Sequence, residues 1–305
     1  NARTGEGFVA VNPDARKKFW VDRARTAAIA KHTNAFKINE DVVIPLPRMG
    51  EYTDAIERIN IELSFKNKLE LLDELYRYLG GELRLAETDD PELNRLPASE
   101  MLGDRQTEAL ALLLKVRQRW QYLSLHLDQS LRSALPMLDQ LGYAAMLKEF
   151  EQRLVQDSTC RIFDVIQDRS IRISWKQEVR NELRHIFSGA VFSPVLAECQ
   201  AIHQRVLRGR VWVALHMHAG DGNVHVRILK DALSDDYWKN EVPKGIREIF
   251  EKVVQLGGTI SGEHGIGWIQ IPYMDIKFGK TQLQLMRSIK NIFDPNNILN
   301  PGKIF

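Results

Sequence analysis

The chain has 305 residues, of which 44% are hydrophobic and 27% charged, and a formal net charge of +2. That profile belongs to a globular protein with a proper core, and the near-neutral balance argues against a binder of nucleic acid or of an anionic membrane surface. No apolar run reaches the roughly 18 residues of a membrane span, and two distant cysteines outside any CxxC, Cys160 and Cys199, exclude a disulfide framework and fit reduced thiols in the cytoplasm.

The opening "NARTGEGFVAVNPDARKKFW" has no initiator methionine and reads as the continuation of a preceding segment, a C-terminal piece of a larger protein. Residues 13–36 read as a helix, with Phe19, Trp20, Ala27 and Ala28 supplying a stripe at helical spacing. "EDVVIPLPRM" follows, a β-branched run ended by Pro45 and Pro47, and predicts a strand over 40–47. From Met49 to Leu79 the apolar residues Ile56, Ile59, Leu63 and several beyond Leu69 give a long helical face, stopped by Gly80 and Gly81. The polar stretch 85–104 carries prolines and turn formers and reads as a loop. Helices near 105–135, 138–156, 170–188 and 194–208 come next, divided by Pro136, by "DSTC" and by "FSGAVFSP".

At Val211 the grammar changes. "VWVALHMH" alternates, "AGDGN" is a turn, and "VHVRILK" alternates again, which predicts a β-hairpin over 211–218 and 224–230. An amphipathic helix, "VPKGIREIFEKVVQLGG", precedes a short strand at about 258–261 that enters the glycine-rich "SGEHGIG". A last helix near 280–293 ends at "DPNNILNPGKIF". The sum is α+β: an antiparallel sheet with covering helices, carrying a large helical insertion over 80–208 between the flanking parts 1–79 and 209–305.

The chemistry concentrates in two short stretches. In "HMHAGDGNVHV" (216–226), His216 and His218 share one strand face by period-two alternation, while Val224 and Val226 face away from His225 and Arg227. If the hairpin closes at Asp221–Gly222, His218 and His225 converge, which starts a divalent metal site that still needs an anionic ligand. "SGEHGIG" (261–267) offers one, Glu263, beside the imidazole of His264. Neighbours in a strand point oppositely, so both can serve one site only where the glycines let the backbone bend.

"HAGDGNVH", "SGEHGIG" and the ending "FDPNNILNPGKIF", in that order, resemble the C-terminal domain of FAD-linked 2-hydroxy acid dehydrogenases. That family includes D-lactate dehydrogenases, glycolate oxidase subunits and D-2-hydroxyglutarate dehydrogenases. "RTAAIAKHTNAFKINEDVVIPL" is similar to a large bacterial branch that adds an iron–sulfur domain to the same polypeptide. The resemblance covers about 1–60 and 206–305, and its implied fold is the FAD-linked oxidase C-terminal type, a ferredoxin-like sheet.

The resemblance implies a set of roles. His218, His225 and Glu263 would hold a divalent metal, commonly zinc, and His264 would be the catalytic base. Arg23 of "FWVDR" would grip the substrate carboxylate. Lys37 is the candidate for a supporting lysine, although it stands two residues farther from Pro45 than the family pattern has it. Arg227 replaces the family's asparagine and would add a cation to the substrate side. Asn300, in the C-terminal motif, would contact FAD. The FAD would be held mainly by an N-terminal domain outside this sequence, since no GxGxxG in a βαβ context occurs. The implied substrate is a small 2-hydroxy acid such as D-lactate or D-2-hydroxyglutarate, with an electron acceptor beyond the flavin and a location in the cytoplasm or at the inner membrane's surface. The residues by themselves leave two other classes open: a zinc hydrolase on the same ligands, or a non-catalytic module whose helical block recruits a partner.

Overall fold

The computed structural model describes residues 11–27, 36–87, 95–230 and 239–305, and of 22–27, 36–40, 216, 227, 229 and 230 it describes the backbone alone. Helix α1 spans Pro13–Ala27; of the helix predicted to residue 36, positions 28–35 lie outside the described residues and Phe36 is the first residue of a strand. Strand β1 is Phe36–Val43, four residues earlier than predicted at each end. It stops at Val43 because Pro45 lacks the N–H that would continue the ladder.

Three strands form one antiparallel sheet in the order β1–β3–β2, with β2 at Trp212–His218 and β3 at Asn223–Lys230. The predicted strand near 258–261 is absent as a strand. Only an isolated bridge joins Thr259 to Val43, because Gly258 and Gly262 bend the chain away after one pairing. On one face of the sheet Val42, Val213, Val224, Val226 and Ile228 are buried. They pack with Ile246, Ile249, Phe250 and Val253 of an amphipathic helix at Val242–Gln255 and with Tyr52 and Ile56 of the long helix Met49–Leu79. The histidine-bearing face is the other one.

Helix α2 runs over Met49–Leu79, as the periodicity predicts, and spans about 46 Å at 1.5 Å per residue. Glu51 sits in its first turn and Arg77 in its last, matching the helix dipole. Its apolar stripe serves two cores in succession. Tyr52 and Ile56 join the sheet core, whereas Phe65, Leu71, Leu72, Leu75 and Leu79 join a second, wholly helical core around Trp120. Asn60 lies between them and acts as a substitute strand for the open edge of β2. Its amide donates to the Val213 carbonyl at 2.9 Å and accepts from the Val213 N–H at 2.7 Å.

The helical block departs from the predicted boundaries for identifiable reasons. The helix begun at Arg105 ends at Leu125 and not near 135, since residues 127–131 pair with 160–163: the Phe163 N–H donates to Leu127 O and the Leu131 N–H to Cys160 O. Pro136 does not divide helices but lies within Leu131–Leu138. A short helix at Ile162–Gln167 was not predicted, and the helix expected from 170 begins only at Trp175, as a wide turn leading into Asn181–Ile186. The stretch 85–104 contains a one-turn helix at Ala98–Leu102. Both cysteines are free and buried.

After the Val242–Gln255 helix the chain crosses the glycine loop and forms a final helix at Lys280–Phe293. It buries none of its own residues. Leu285, Ile289, Ile292 and Phe293 line one of its faces at spacings of four, three and one and stay exposed. No helix among the described residues is long and apolar enough to cross a membrane.

Candidate metal and active site

The site is built where the sheet's polar face meets the glycine loop. In the hairpin, His216 pairs with His225 and His218 pairs with Asn223. His218 and His225 therefore meet diagonally across the strands, with ring centroids 5.6 Å apart. The turn between them is a tight one over Ala219–Asp221, closed by Gly222 at φ +70°. An added Cβ at Gly222 would lie 2.2 Å from the Ile44 carbonyl oxygen, so only glycine fits this approach. The Ile44 N–H donates to Gly222 O at 2.8 Å, tying the turn to the end of β1.

Glu263 arrives from the other side. One ligand atom from each of His218, His225 and Glu263 lies within 4.8 Å of the others. Zinc bonds of about 2.0–2.2 Å put two ligands on one ion at most about 4.4 Å apart. In a tetrahedral site the same bonds bring neighbouring ligand atoms to about 3.4 Å, so the set fits a divalent metal once the side chains draw in by about an ångström. Two imidazoles and a carboxylate are also the donor types that suit zinc and its neighbours. Glu263 Oε1 stands 3.0 Å from His225 Nε2. Burial lowers the pKa of His225, and the neighbouring imidazoles add to this, while Glu263 and Asp41 oppose it. A neutral imidazole is the ligating form.

His264 sits beside these groups, 5.0 Å from His225 between ring centroids, with its Nε2 3.8 Å from Glu263 Oε1. Beneath it lies a residue that sequence reasoning passed over. Asp41 of β1 is 0% exposed, and its Oδ2 accepts the backbone N–H groups of Glu263 and of His264, the latter at 3.2 Å. Asn223 Nδ2 donates to the same oxygen at 3.4 Å. The available signal was an acidic residue inside a β-branched run just before a proline, which reads equally well as a solvated strand end.

Residues 192–304 match the family of FAD linked oxidases, C-terminal domain. This segment is a FAD-linked oxidase C-terminal domain. Over 106 residues the chain is 42% identical to the glycolate oxidase subunit GlcD of Bacillus subtilis, covering 35% of this chain and 22% of that protein. It is 41% identical over 87 residues to a D-lactate dehydrogenase of Anaerostipes hadrus, 28% of this chain and 18% of the relative. It is 40% identical over 89 residues to a D-2-hydroxyglutarate dehydrogenase of Stutzerimonas stutzeri, 29% of this chain and 19% of the relative. The matches thus span about a fifth of each relative's length.

Within the matched segment, Asn300 stands apart from the cluster. Asn300, at φ +48°, belongs to the C-terminal turn and lines an open concavity of about 590 Å³ with Met286, Ile289 and Phe305. Asp294 organises that turn by accepting the Ile298 and Leu299 N–H groups at 2.8 and 2.9 Å. The tail then returns to the glycine loop, where the Ile304 N–H donates to Gly267 O at 3.0 Å. Three stretches far apart in sequence are joined in this way. Arg227, inside the matched segment, lies on β3 opposite Asn39 and Ala214; outside it, Arg23 lies on α1 and Lys37 on β1 opposite Leu229. The side chains of these three are outside the described residues.

Proposed function

We propose that this chain is the substrate- and metal-binding part of a flavin-dependent dehydrogenase that oxidises a D-2-hydroxy acid, of the D-lactate or D-2-hydroxyglutarate type, to the 2-oxo acid. The observation that carries this is the convergence of His218, His225 and Glu263, from a hairpin and a distant loop, with His264 adjoining.

His218, His225 and Glu263 would hold the divalent metal, zinc by the donor set, which when bound lowers the pKa of a coordinated hydroxyl. FAD, when bound, would supply the hydride acceptor. The chain's own residues do the rest. Oxidation removes a hydride from C2 and a proton from the hydroxyl, and the proton passes to the His264 imidazole. Arg23, with Lys37 and Arg227 assisting, binds the substrate carboxylate and orients C2; a guanidinium does this through paired N–H bonds.

FAD would be bound mainly by a domain of the same polypeptide outside this sequence, with Asn300 contributing from this side. The exposed apolar row Leu285, Ile289, Ile292 and Phe293 beside Asn300 supports that docking, because such patches mark contact surfaces. Residues 1–79 and 209–305 would form this domain and 80–208 an insertion within it. An electron acceptor, and in the large bacterial branch an iron–sulfur domain, would complete the chain of transfer in the cytoplasm or at the inner membrane's surface.

Elemental analysis tests the core of this reading. The chain, supplied with zinc, should carry about one divalent metal, and a His218→Ala/His225→Ala double variant should carry none. A wild-type chain that takes up no metal sinks the proposal.

A further inference from the structure

Asp41 lies outside residues 192–304 and within none of the three motifs that place the metal ligands and the base. A carboxylate removed from water must be satisfied by donors. Asp41 has spent only half of itself in this way. Its Oδ2 takes the N–H groups of Glu263 and His264 and the side-chain amide of Asn223. Its Oδ1 is buried and accepts from no donor. The nearest candidate is His264 Nδ1, at 3.5 Å. No lysine or arginine among the described side chains pairs with it.

The loop is shaped around this carboxylate. A Cβ on Gly262 would fall 2.6 Å from Asp41 Oδ2 and 2.5 Å from Asn223 Nδ2, so the chain can close on Asp41 only with glycine there. Gly222 and Thr259 pin the end of β1 from two sides, through Ile44 and Val43. The position of Asp41 is thereby set by the hairpin turn and the glycine loop together.

We propose that Asp41 is the positioning residue of this site. Its Oδ2 fixes the backbone of Glu263 and His264. Its Oδ1 accepts the Nδ1–H of His264 after a small rotation of the ring, leaving the Nε2 lone pair free on the side of Glu263. Which nitrogen of a histidine carries the proton is set by the hydrogen bond its partner atom makes. That Nε2 then serves as the base rests on the function proposed above; the orientation itself does not.

The test is made on the metal-free chain labelled with ¹⁵N-histidine, by long-range ¹H–¹⁵N spectra at a pH where the imidazoles are neutral, for the wild type and Asp41→Asn. The expected wild-type His264 is the Nδ1–H tautomer. In Asp41→Asn the single amide oxygen stays with the two backbone donors, the NH₂ turns to the ring, and His264 reverts to Nε2–H. The Glu263 and His264 amides should also exchange with solvent about 10- to 100-fold faster in the variant, the loss of bonds to a charged acceptor. A residue that only props up the loop would leave the tautomer alone. An unchanged tautomer in the variant overturns the proposal. If Asp41→Asn does not fold, the wild type decides by itself: His264 as Nε2–H, or Glu263 and His264 amides exchanging at free-peptide rates, overturns it equally. Cobalt(II) titration of the same wild-type sample keeps the two readings separate. A chain with the Nδ1–H tautomer that binds no cobalt supports Asp41's role and sinks the metal site.

Discussion

Single atoms decide much of this site. Gly222 holds a left-handed backbone with no room for a side chain beside the Ile44 carbonyl. Gly222→Ala should cost about 1–3 kcal/mol in urea unfolding and, by shifting the end of β1, weaken metal uptake as well. Stability lost without any change in metal uptake would disconnect the turn from the site. His203 gives a pH-dependent prediction away from the His218, His225 and Glu263 cluster. Its ring stacks on Trp175 at 4.8 Å between centroids, and burial, aided by the Arg180 charge, lowers its pKa. The unfolded state therefore takes up a proton first, at about pH 6.5, and stability falls as the pH drops below that value, until the folded ring also protonates. His203→Phe keeps the stacking and removes the titration. Its urea midpoint should fall less than the wild type's between about pH 7.5 and about pH 5.5; equal falls would remove His203 from the acid response. The convergence of His218 and His225 was legible in the sequence, but their register was not, because "AGDGN" permits several turn lengths. Asp41 was illegible because its partners, at the start of β3 and in the glycine loop, lie 182 and 222 residues away along the chain.

Elements with a strong period or a clean stop read correctly from sequence. Met49–Leu79 and Lys280–Phe293 match their predicted bounds, and both hairpin strands were placed within a residue. Short elements held by tertiary contacts did not. Ile162–Gln167 is too brief to show a period, and the end of the helix at Leu125 is imposed by pairing with residues some thirty positions on. The wide turn at Trp175–Arg180 is likewise organised from outside. Glu178 lies 2.9 Å from Arg119, and it accepts from Trp120 Nε1 at 3.0 Å and from the Ser174 N–H at 2.9 Å. Both partners of the ion pair are mostly buried. Glu178→Ala leaves a shielded guanidinium and an indole N–H unmatched, and should cost about 2–4 kcal/mol. Thermal unfolding monitored by circular dichroism would show it, and a near-unchanged midpoint would mean that water replaces the carboxylate without loss.

Across the whole molecule, two hydrophobic cores share one helix. Leu75 is fully buried at the helical-core end of α2, and Leu75→Ala should cost about 2–4 kcal/mol. Since α2 cannot leave one core and remain in the other, helix circular dichroism and amide exchange in β3 should report the same lowered denaturant midpoint. Two separate midpoints would show that the cores unfold independently. The sequence displays the two halves of this arrangement, a periodic helical block and an alternating sheet, but not their joint tenant, since one unbroken stripe from Tyr52 to Leu79 looks the same whether it faces one core or two.

A rod of that length is also a lever. With Asn60 clamping it to the open edge of β2, a tilt of about 3° at the sheet sweeps its far tip through about 2 Å. The packed leucines around Leu79 have no slack to absorb such a sweep. A shift of the hairpin that cradles His218 and His225 would, through this helix, press on the floor of the helical block.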